Sequence, residues 1–310
     1  MILCVTPNPA IDRSLRVSAL RLGEVHRADH VLAAAGGKGL NVARTIRALG
    51  GEPFCMGLLG GHTGRLLADL AAQEGLPARW TQTAAETRTC VILVEQGRDA
   101  TVVNERGAQV SESECRAFCR DVWEEAAARA RLVCVSGSLP PGFPLNVFHD
   151  LLAGLVKDGR SVWVDTSGPA LRAALTVRGV HIKVNAGELG EALGVEILDA
   201  GRTVRAGVPL LESGAAAVVV TLGRDGAVLN AGGGAWVARP PTLKTVSSVG
   251  SGDAFLGGLA FALEAGHSPE AALRHAVAAG AANALHFGGG MFTRPEFERL
   301  AQAVTIVAVS

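Results

Sequence analysis

Residues 132–168 read LVCVSGSLPPGFPLNVFHDLLAGLVKDGRSVWVDTSG. The apolar run Leu132–Val135 ends in the small and polar cluster Ser136-Gly137-Ser138-Leu139-Pro140-Pro141-Gly142. A helix is predicted over Leu145–Lys157, and Ser161–Asp165 returns to strand character before Asp165-Thr166-Ser167-Gly168. The rhythm continues with strands at His181–Val184 and Ala216–Thr221 and helices at Pro169–Leu175, Gly187–Leu193 and Gly201–Ser213. Short runs rich in Val, Ile and Ala between helices predict a mostly parallel sheet with crossover helices. Near-continuous apolar strands fit a sheet covered on both faces. The expected class is α/β, a central sheet flanked by helices.

The first hundred residues are mixed. Met1–Thr6 reads as a strand that meets Pro7, and helices are predicted over Leu40–Leu49 and Thr63–Glu74. Two segments, about 11–34 and 87–103, break the rhythm by alternating apolar and polar residues, as in Cys90–Val94, then Gly97, then Thr101–Val103. They predict antiparallel strands in a small sheet outside the main one. From Ser251 to about Leu285 the chain is Ala- and Gly-rich and reads as helical. With no repeat, linker or low-complexity tail, residues 1–310 read as one domain.

Composition narrows the partners. Basic and acidic side chains balance at 29 each, so the charge that drives general nucleic-acid binding or attraction to an anionic membrane is missing. No stretch approaches the roughly 18 apolar residues of a membrane span, and no signal peptide is visible. The six cysteines are scattered without a CxxC pair. Cys115 and Cys119, four apart on an expected helix, have no second pair or His cluster to complete a metal site. Free thiols of this kind fit a reducing, cytoplasmic compartment.

Open α/β sheets bind ligands at the carboxyl ends of their strands. Five expected strands end in such clusters: Thr6–Asp12, Ser136–Gly142, Asp165–Gly168, Asn185–Glu188 and Thr221–Gly226. One is a turn; five at the same edge indicate a site.

The segment Val249-Gly250-Ser251-Gly252-Asp253 adds the chemistry. Small residues let a backbone approach a ligand, and free N–H groups at a helix start attract an anion. A carboxylate there is out of place in a pure anion site, but it suits a proton acceptor beside a held phosphate. The plainer role is an N-capping Asp after a Gly-rich turn. Gly36-Gly37-Lys38-Gly39-Leu40-Asn41 also leads into a helix, but it lacks the Ser or Thr that follows the lysine of a Walker A loop. Phe255 likewise breaks a GxGxxG dinucleotide pattern.

Together these motifs resemble the ribokinase-like sugar kinases of the PfkB family, in its phosphosugar branch. The matching pieces are Asn8–Asp12, Gly36–Arg44, Ser136–Gly142, Asp165–Gly168, Lys183 with Asn185 and Glu188, Thr221–Gly226 and Val249–Asp253, in family order over nearly the whole chain. The resemblance implies that the two irregular segments form a lid that closes over the sugar and can join a homodimer. It implies ATP and Mg²⁺ as cofactors and a ketose phosphate as substrate. Asp253 would be the general base, with the amides of Gly250, Ser251 and Gly252 as an anion cradle. Asp12, Gly36, Gly37, Lys38, Asn41, Arg88 and Ser138 would bind the sugar, with Lys38 and Arg88 facing its phosphate and Arg27 reaching in from the lid. Lys183, Asn185, Glu188, Thr221, Gly223 and Gly226 would serve the nucleotide, Asn185 and Glu188 through the metal, and Asn283 would lie near the adenine. The chain departs from the family pattern at Val184 and Arg106, where Pro is usual, and at Ser251, where Ala is usual. Arg106 bears on which sugar is bound. The rival readings are a non-catalytic sugar- or nucleotide-binding regulator and a kinase for neutral sugars or nucleosides. The intact Asp253 motif opposes the first, and the charges of Lys38 and Arg88 oppose the second.

Overall fold

The computed structural model describes residues 1–95, 98–197 and 199–309. In chain order the first seven strands are β1 (Ile2–Thr6), β2 (Ala10–Val17), β3 (His30–Gly36), β4 (Pro53–Gly60), β5 (Ala78–Thr83), β6 (Arg88–Glu95) and β7 (Thr101–Asn104). They continue with β8 (Leu132–Ser136), β9 (Ser161–Asp165), β10 (His181–Asn185), β11 (Ala217–Thr221), β12 (Ala227–Ala231), β13 (Gly234–Arg239) and β14 (Thr305–Val309). The main sheet has ten strands in the order β14-β13-β12-β11-β10-β9-β8-β1-β4-β5. From β11 to β5 every pairing is parallel, as the apolar strands predict.

Helices cover both faces. On one side lie α1 (Lys38–Ala48), α2 (Gly61–Gln73), α8 (Ser251–Glu264), α9 (Pro269–Asn283) and α10 (Arg294–Ala303). On the other lie α3 (Glu112–Arg129), α4 (Leu145–Lys157), α5 (Gly168–Leu175), α6 (Ala186–Leu193) and α7 (Ala200–Glu212). Strand β1 shows why no alternation is visible in its sequence. Ile2 and Cys4 pack into the first layer, Leu3 and Val5 into the second, and all four are buried. Either face needs an apolar residue, so the run is apolar throughout.

Three features differ from expectation. The stretch from Ser251 to Leu285 is two helices, because Gly266 turns at φ 81° and Ser268 caps α9 with Pro269 in its first turn. The small sheet, β3-β2-β6-β7, pairs β2 with β6 in parallel, from Ala10 opposite Arg88 to Val17 opposite Glu95. These strands are joined through α1 and α2, so no hairpin forces them antiparallel. Strands β12 to β14 extend the main sheet as antiparallel neighbours. The expected turn at Gly97 lies outside the described residues.

Candidate active site

The carboxyl ends of β1, β8, β9, β10 and β11 open on one edge of the sheet, so all five polar clusters meet there. Two helices begin at this edge. Gly37 (φ 106°) is the N-cap of α1, and Gly250 (φ 77°) is the N-cap of α8. A side chain at Gly250 would be strained by that φ, and its Cβ would lie 2.6 Å from Gly289 Cα.

Asp253 sits in the first turn of α8 and is buried. Asn41 Nδ2 donates to its Oδ2 at 2.8 Å, and among the described residues no group bonds to Oδ1. Burial raises the Asp253 pKa and Asp165 adds to the rise, while Lys38, Lys183 and the Asn41 bond oppose it; the value settles at about 6. Asn41 is itself held by Arg44, whose Nη1 donates to Asn41 Oδ1 at 2.7 Å. Arg44 also donates to Glu74 Oε2 from Nε (2.8 Å) and Nη2 (2.6 Å) and to the carbonyls of Ala35 and Gly289.

Asp165, at the end of β9, is fully buried between two lysines. Lys38 Nζ lies 2.8 Å from Oδ1 and Lys183 Nζ 2.7 Å from Oδ2. Burial alone would raise the Asp165 pKa, but Lys183 and Lys38 hold it below the ordinary carboxylate value. Lys38 also faces Glu188 Oε1 at 3.7 Å, and Asp165, Asp253 and Glu188 together outweigh burial and raise its pKa. Lys183 packs under the cradle, its Nζ 2.9 Å from where a Cβ at Gly252 would stand. The sequence offered Asp165 as the head of the Asp165–Gly168 cluster at a strand end; neither its clamp on two lysines nor the contacts of Arg44 and Glu74 could be read from spacing.

Where β2 and β3 meet α1, Asp12 stands over Gly36 so closely that a Cβ there would lie 2.1 Å from Asp12 Cγ. Burial lifts the Asp12 pKa to about 6 against the Gly37 N–H, Arg44 and Arg88. Asn8 joins two other expected residues: its Nδ2 donates to Ser138 Oγ at 3.1 Å, and its carbonyl accepts from Arg88 Nη2 at 2.9 Å. Asn8 Nδ2 also donates to the Arg106 carbonyl at 3.0 Å, a backbone contact that Pro could make equally well. The exposed Arg106 side chain therefore does not disturb this corner. Arg27 lies exposed between β2 and β3.

At the carboxyl ends of β10 and β11, Asn185, Thr221 and Gly223 line a cleft of about 510 Å³ together with Asp199, Asp225 and Arg239. Asp199 and Arg239 carried no sequence signal, and Asp225 only its place in the Thr221–Gly226 cluster. Gly226 (φ 93°) closes the turn, where a Cβ would collide with the Ala238 carbonyl. Asn185 and Glu188 form a reciprocal capping box on α6: Glu188 N–H donates to Asn185 Oδ1 at 2.8 Å and Asn185 N–H to Glu188 Oε2 at 2.9 Å. Among the described residues no cluster of three or more His, Cys, Asp or Glu side chains could hold a metal by itself. Asn283 is not a surface amide: it is fully buried and bonds to Val249, Ser251 and Gly290. All six cysteines are free and buried, and no described helix is long and apolar enough to cross a membrane.

A parallel sheet whose carboxyl edge joins a buried carboxylate to the start of a helix is the geometry of an α/β enzyme that suits phosphoryl transfer. The comparisons carry this further: the family model for "pfkB family carbohydrate kinase" matches residues 4–295, and the chain belongs to that family of ATP-using kinases. It is 36% identical over 267 residues to a 1-phosphofructokinase of Xanthomonas campestris, covering 84% of this chain and 83% of the relative. A 1-phosphofructokinase of Escherichia coli is 31% identical over 304 residues, covering 97% and 96%. Solved structures of Escherichia coli phosphofructokinase-2, one with fructose-6-phosphate and one in a tetrameric inhibited form, superpose with TM-score 0.89 at 29% identity, covering 97% of this chain and 98% of theirs.

Proposed function

We propose that this kinase phosphorylates fructose 1-phosphate to fructose 1,6-bisphosphate, using ATP. The carrying observation is Asp253 in the first turn of α8, with one carboxylate oxygen pinned by Asn41, next in the chain to the amides of Gly250, Ser251 and Gly252, of which Ser251 N–H donates to the Ser248 carbonyl at 3.1 Å. The substrate follows from likeness to two 1-phosphofructokinases across most of the chain.

Phosphoryl transfer needs positioning and charge neutralisation more than covalent help. Asp253 accepts the proton of the attacking hydroxyl, and its pKa of about 6 leaves it ionised yet basic at neutral pH. The amides at the start of α8, supported by Lys183 beneath Gly252, stabilise the charge on the transferred group. Asp12 grips sugar hydroxyls beside Gly36 and Gly37. Lys38, 36% exposed, and Arg88 supply positive charge for the phosphate already on the sugar. The nucleotide occupies the cleft of Asn185, Thr221 and Gly223, with Gly226 shaping its turn.

When bound, Mg²⁺ would neutralise charge on the nucleotide phosphates. The donor set fits it: Glu188 keeps Oε1 outside the capping box, and an ion that retains waters and binds phosphates needs only one or two protein ligands. Asn185, whose Oδ1 also accepts from the Glu188 N–H, would be the second. The small sheet acts as a lid and as a homodimer face, supported by exposed Val31, Val102 and Val103 and by the tetrameric form of the relative. Arg27 is carried on this lid. Six buried free thiols support a cytoplasmic setting.

A second reading, fructose 6-phosphate, is favoured by the structural likeness to phosphofructokinase-2 in complex with that sugar. Tagatose 6-phosphate shares the same site. An ADP-release assay over these three sugars, ribose and adenosine decides. Highest kcat/KM on fructose 1-phosphate is expected, and turnover of none of the ketose phosphates refutes the proposal.

A further inference from the structure

Asn283 ends α9 in a fully buried position. Burying an amide is costly unless its groups are bonded, and here they are. Nδ2 donates to the Val249 carbonyl at 2.8 Å and to Ser251 Oγ at 3.1 Å, both in the turn that starts α8. Oδ1 accepts from the Gly290 N–H at 2.6 Å. Both N–H groups are thus engaged, which fixes the orientation of the amide and leaves no donor for a nucleotide base.

The segment Phe287–Gly290, on the far side of that bond, makes further contacts. The Gly289 carbonyl accepts from Arg44 Nη1 at 2.6 Å, the same nitrogen that orients Asn41 against Asp253. Gly289 Cα packs on Gly250, and a Cβ on Gly289 would lie 2.6 Å from Asn41 Oδ1. Phe287 meets His30 of β3 edge to face, with ring centroids 5.1 Å apart, and Leu32 of the same strand reaches to 3.0 Å from a Cβ built on Gly288. One short segment therefore touches the small sheet, the support of the base and, through Asn283, the turn that carries the cradle.

We propose that Phe287–Gly290 couples the small sheet to the phosphate-facing turn, and that Asn283 is the positioning residue that passes on the coupling. Asn283 touches no reacting atom; it sets where the Gly250–Gly252 amides point by holding Val249 and Ser251. When the sugar draws the small sheet inward, His30 and Leu32 press on Phe287 and Gly288, and the turn tightens through the Gly290–Asn283–Val249 bonds. Such coupling runs through contiguous contacts and is tested by perturbing the link rather than either end.

The inference rests on the kinase reading above, and the experiment separates the two. Steady-state kinetics and hydrogen exchange are measured on the wild type, Asn283→Leu, Asn283→Ser and Phe287→Ala, with the ketose phosphate that the panel selects. In the wild type the sugar phosphate alone slows amide exchange across residues 246–255. In Phe287→Ala that slowing disappears while the sugar Kd stays within about threefold, because the sugar contacts are untouched. Asn283→Leu loses about 10²-fold in kcat with little change in sugar KM, the pattern of misplaced catalytic groups. Asn283→Ser, which keeps a donor and an acceptor, recovers part of it. The coupling is overturned if the sugar leaves exchange at 246–255 unchanged in the wild type, or if the slowing survives in Phe287→Ala. The positioning role is overturned if Asn283→Leu keeps kcat within about twofold. Should Asn283→Leu fail to fold, the Phe287→Ala comparison decides alone. An inactive wild type would instead refute the kinase reading.

Discussion

Asn41 and Asp253 stand 212 positions apart, yet the Asn41 amide donates to Asp253 Oδ2 at 2.8 Å where α1 and α8 both begin. Arg44 settles which way that amide faces, so a single oxygen of Asp253 is left to take a proton.

Replacing the carboxylate separates its chemical role from its energetic cost. Asp253→Asn is expected to lower kcat by about 10²–10⁴-fold while leaving ATP affinity nearly unchanged, as calorimetry would show. Near-normal turnover would refute the base assignment. Burial raises this pKa to about 6, so the folded chain binds the proton more tightly than the unfolded chain. The favourable contribution is complete below the ordinary value of 3.8 and is lost as pH rises through about 6. Asp253→Asn should therefore melt higher than the wild type at neutral pH, an advantage that fades in acid.

The same shift sets the acid limb of activity. kcat/KM is expected to fall about tenfold per pH unit below about 6, as Asp253 takes up its proton. Lys38 lowers the Asp253 pKa, so Lys38→Met should move that limb to higher pH. An unmoved limb would show that another group governs it.

The main sheet was legible because burial on both faces forces strands β8 to β11 to be apolar and their polar residues to collect at one end. The helix α1 was legible from Val42, Ile46 and Leu49. The parallel β2–β6 pair was not, since alternation reports burial of one face and says nothing of strand direction. The break near Gly266 had its signals, Gly then Ser268-Pro269, but the Ala-rich composition on both sides masked them. At the site, sequence order located Asp253, Lys38 and Asn41. It could not show that Asp165 binds Lys38 and Lys183 together, nor that Asn283 is buried, because both depend on elements brought together only by the fold.

Two glycines near the start of α1 should respond differently to alanine. A Cβ at Gly36 meets the Asp12 carboxylate, which can swing aside. Gly36→Ala is expected to fold normally and to raise the sugar KM by as much as about 10²-fold, since a shift of about 1 Å in a gripping group has that cost. A Cβ at Gly39 meets Thr6 Oγ1 at 2.3 Å and the Val5 carbonyl at 3.1 Å, a strand that cannot move away. Gly39→Ala should lower the melting temperature. Equal effects of the two changes on melting would contradict this packing.

In the proposed metal site Glu188 would serve the helix with Oε2 and the ion with Oε1. Glu188→Gln keeps a side chain that can complete the capping box, so the melting temperature should hold. It removes the charge, so the Mg²⁺ concentration for half-maximal activity should rise about tenfold or more. Chelation of the metal should stop turnover in both proteins. A variant with the wild-type Mg²⁺ requirement would place the ion elsewhere.

Arg44 offers a test of how far the catalytic geometry depends on a buried ion pair. Its side chain is 9% exposed and bonds to Glu74, Asn41, Ala35 and Gly289. Arg44→Met leaves Glu74 without its partner, and breaking such a pair costs about 3–5 kcal/mol, readable as a lower midpoint in urea. Arg44→Lys keeps the charge, but one ammonium cannot reproduce the planar fork that serves Glu74 and Asn41 at once. It should regain most of the stability and little of the kcat, because Asn41 would still be free to turn its amide away from Asp253. If Lys restored both in proportion, Arg44 would matter to the fold alone, and the orientation of Asp253 would have to come from the Asn41 side chain unaided.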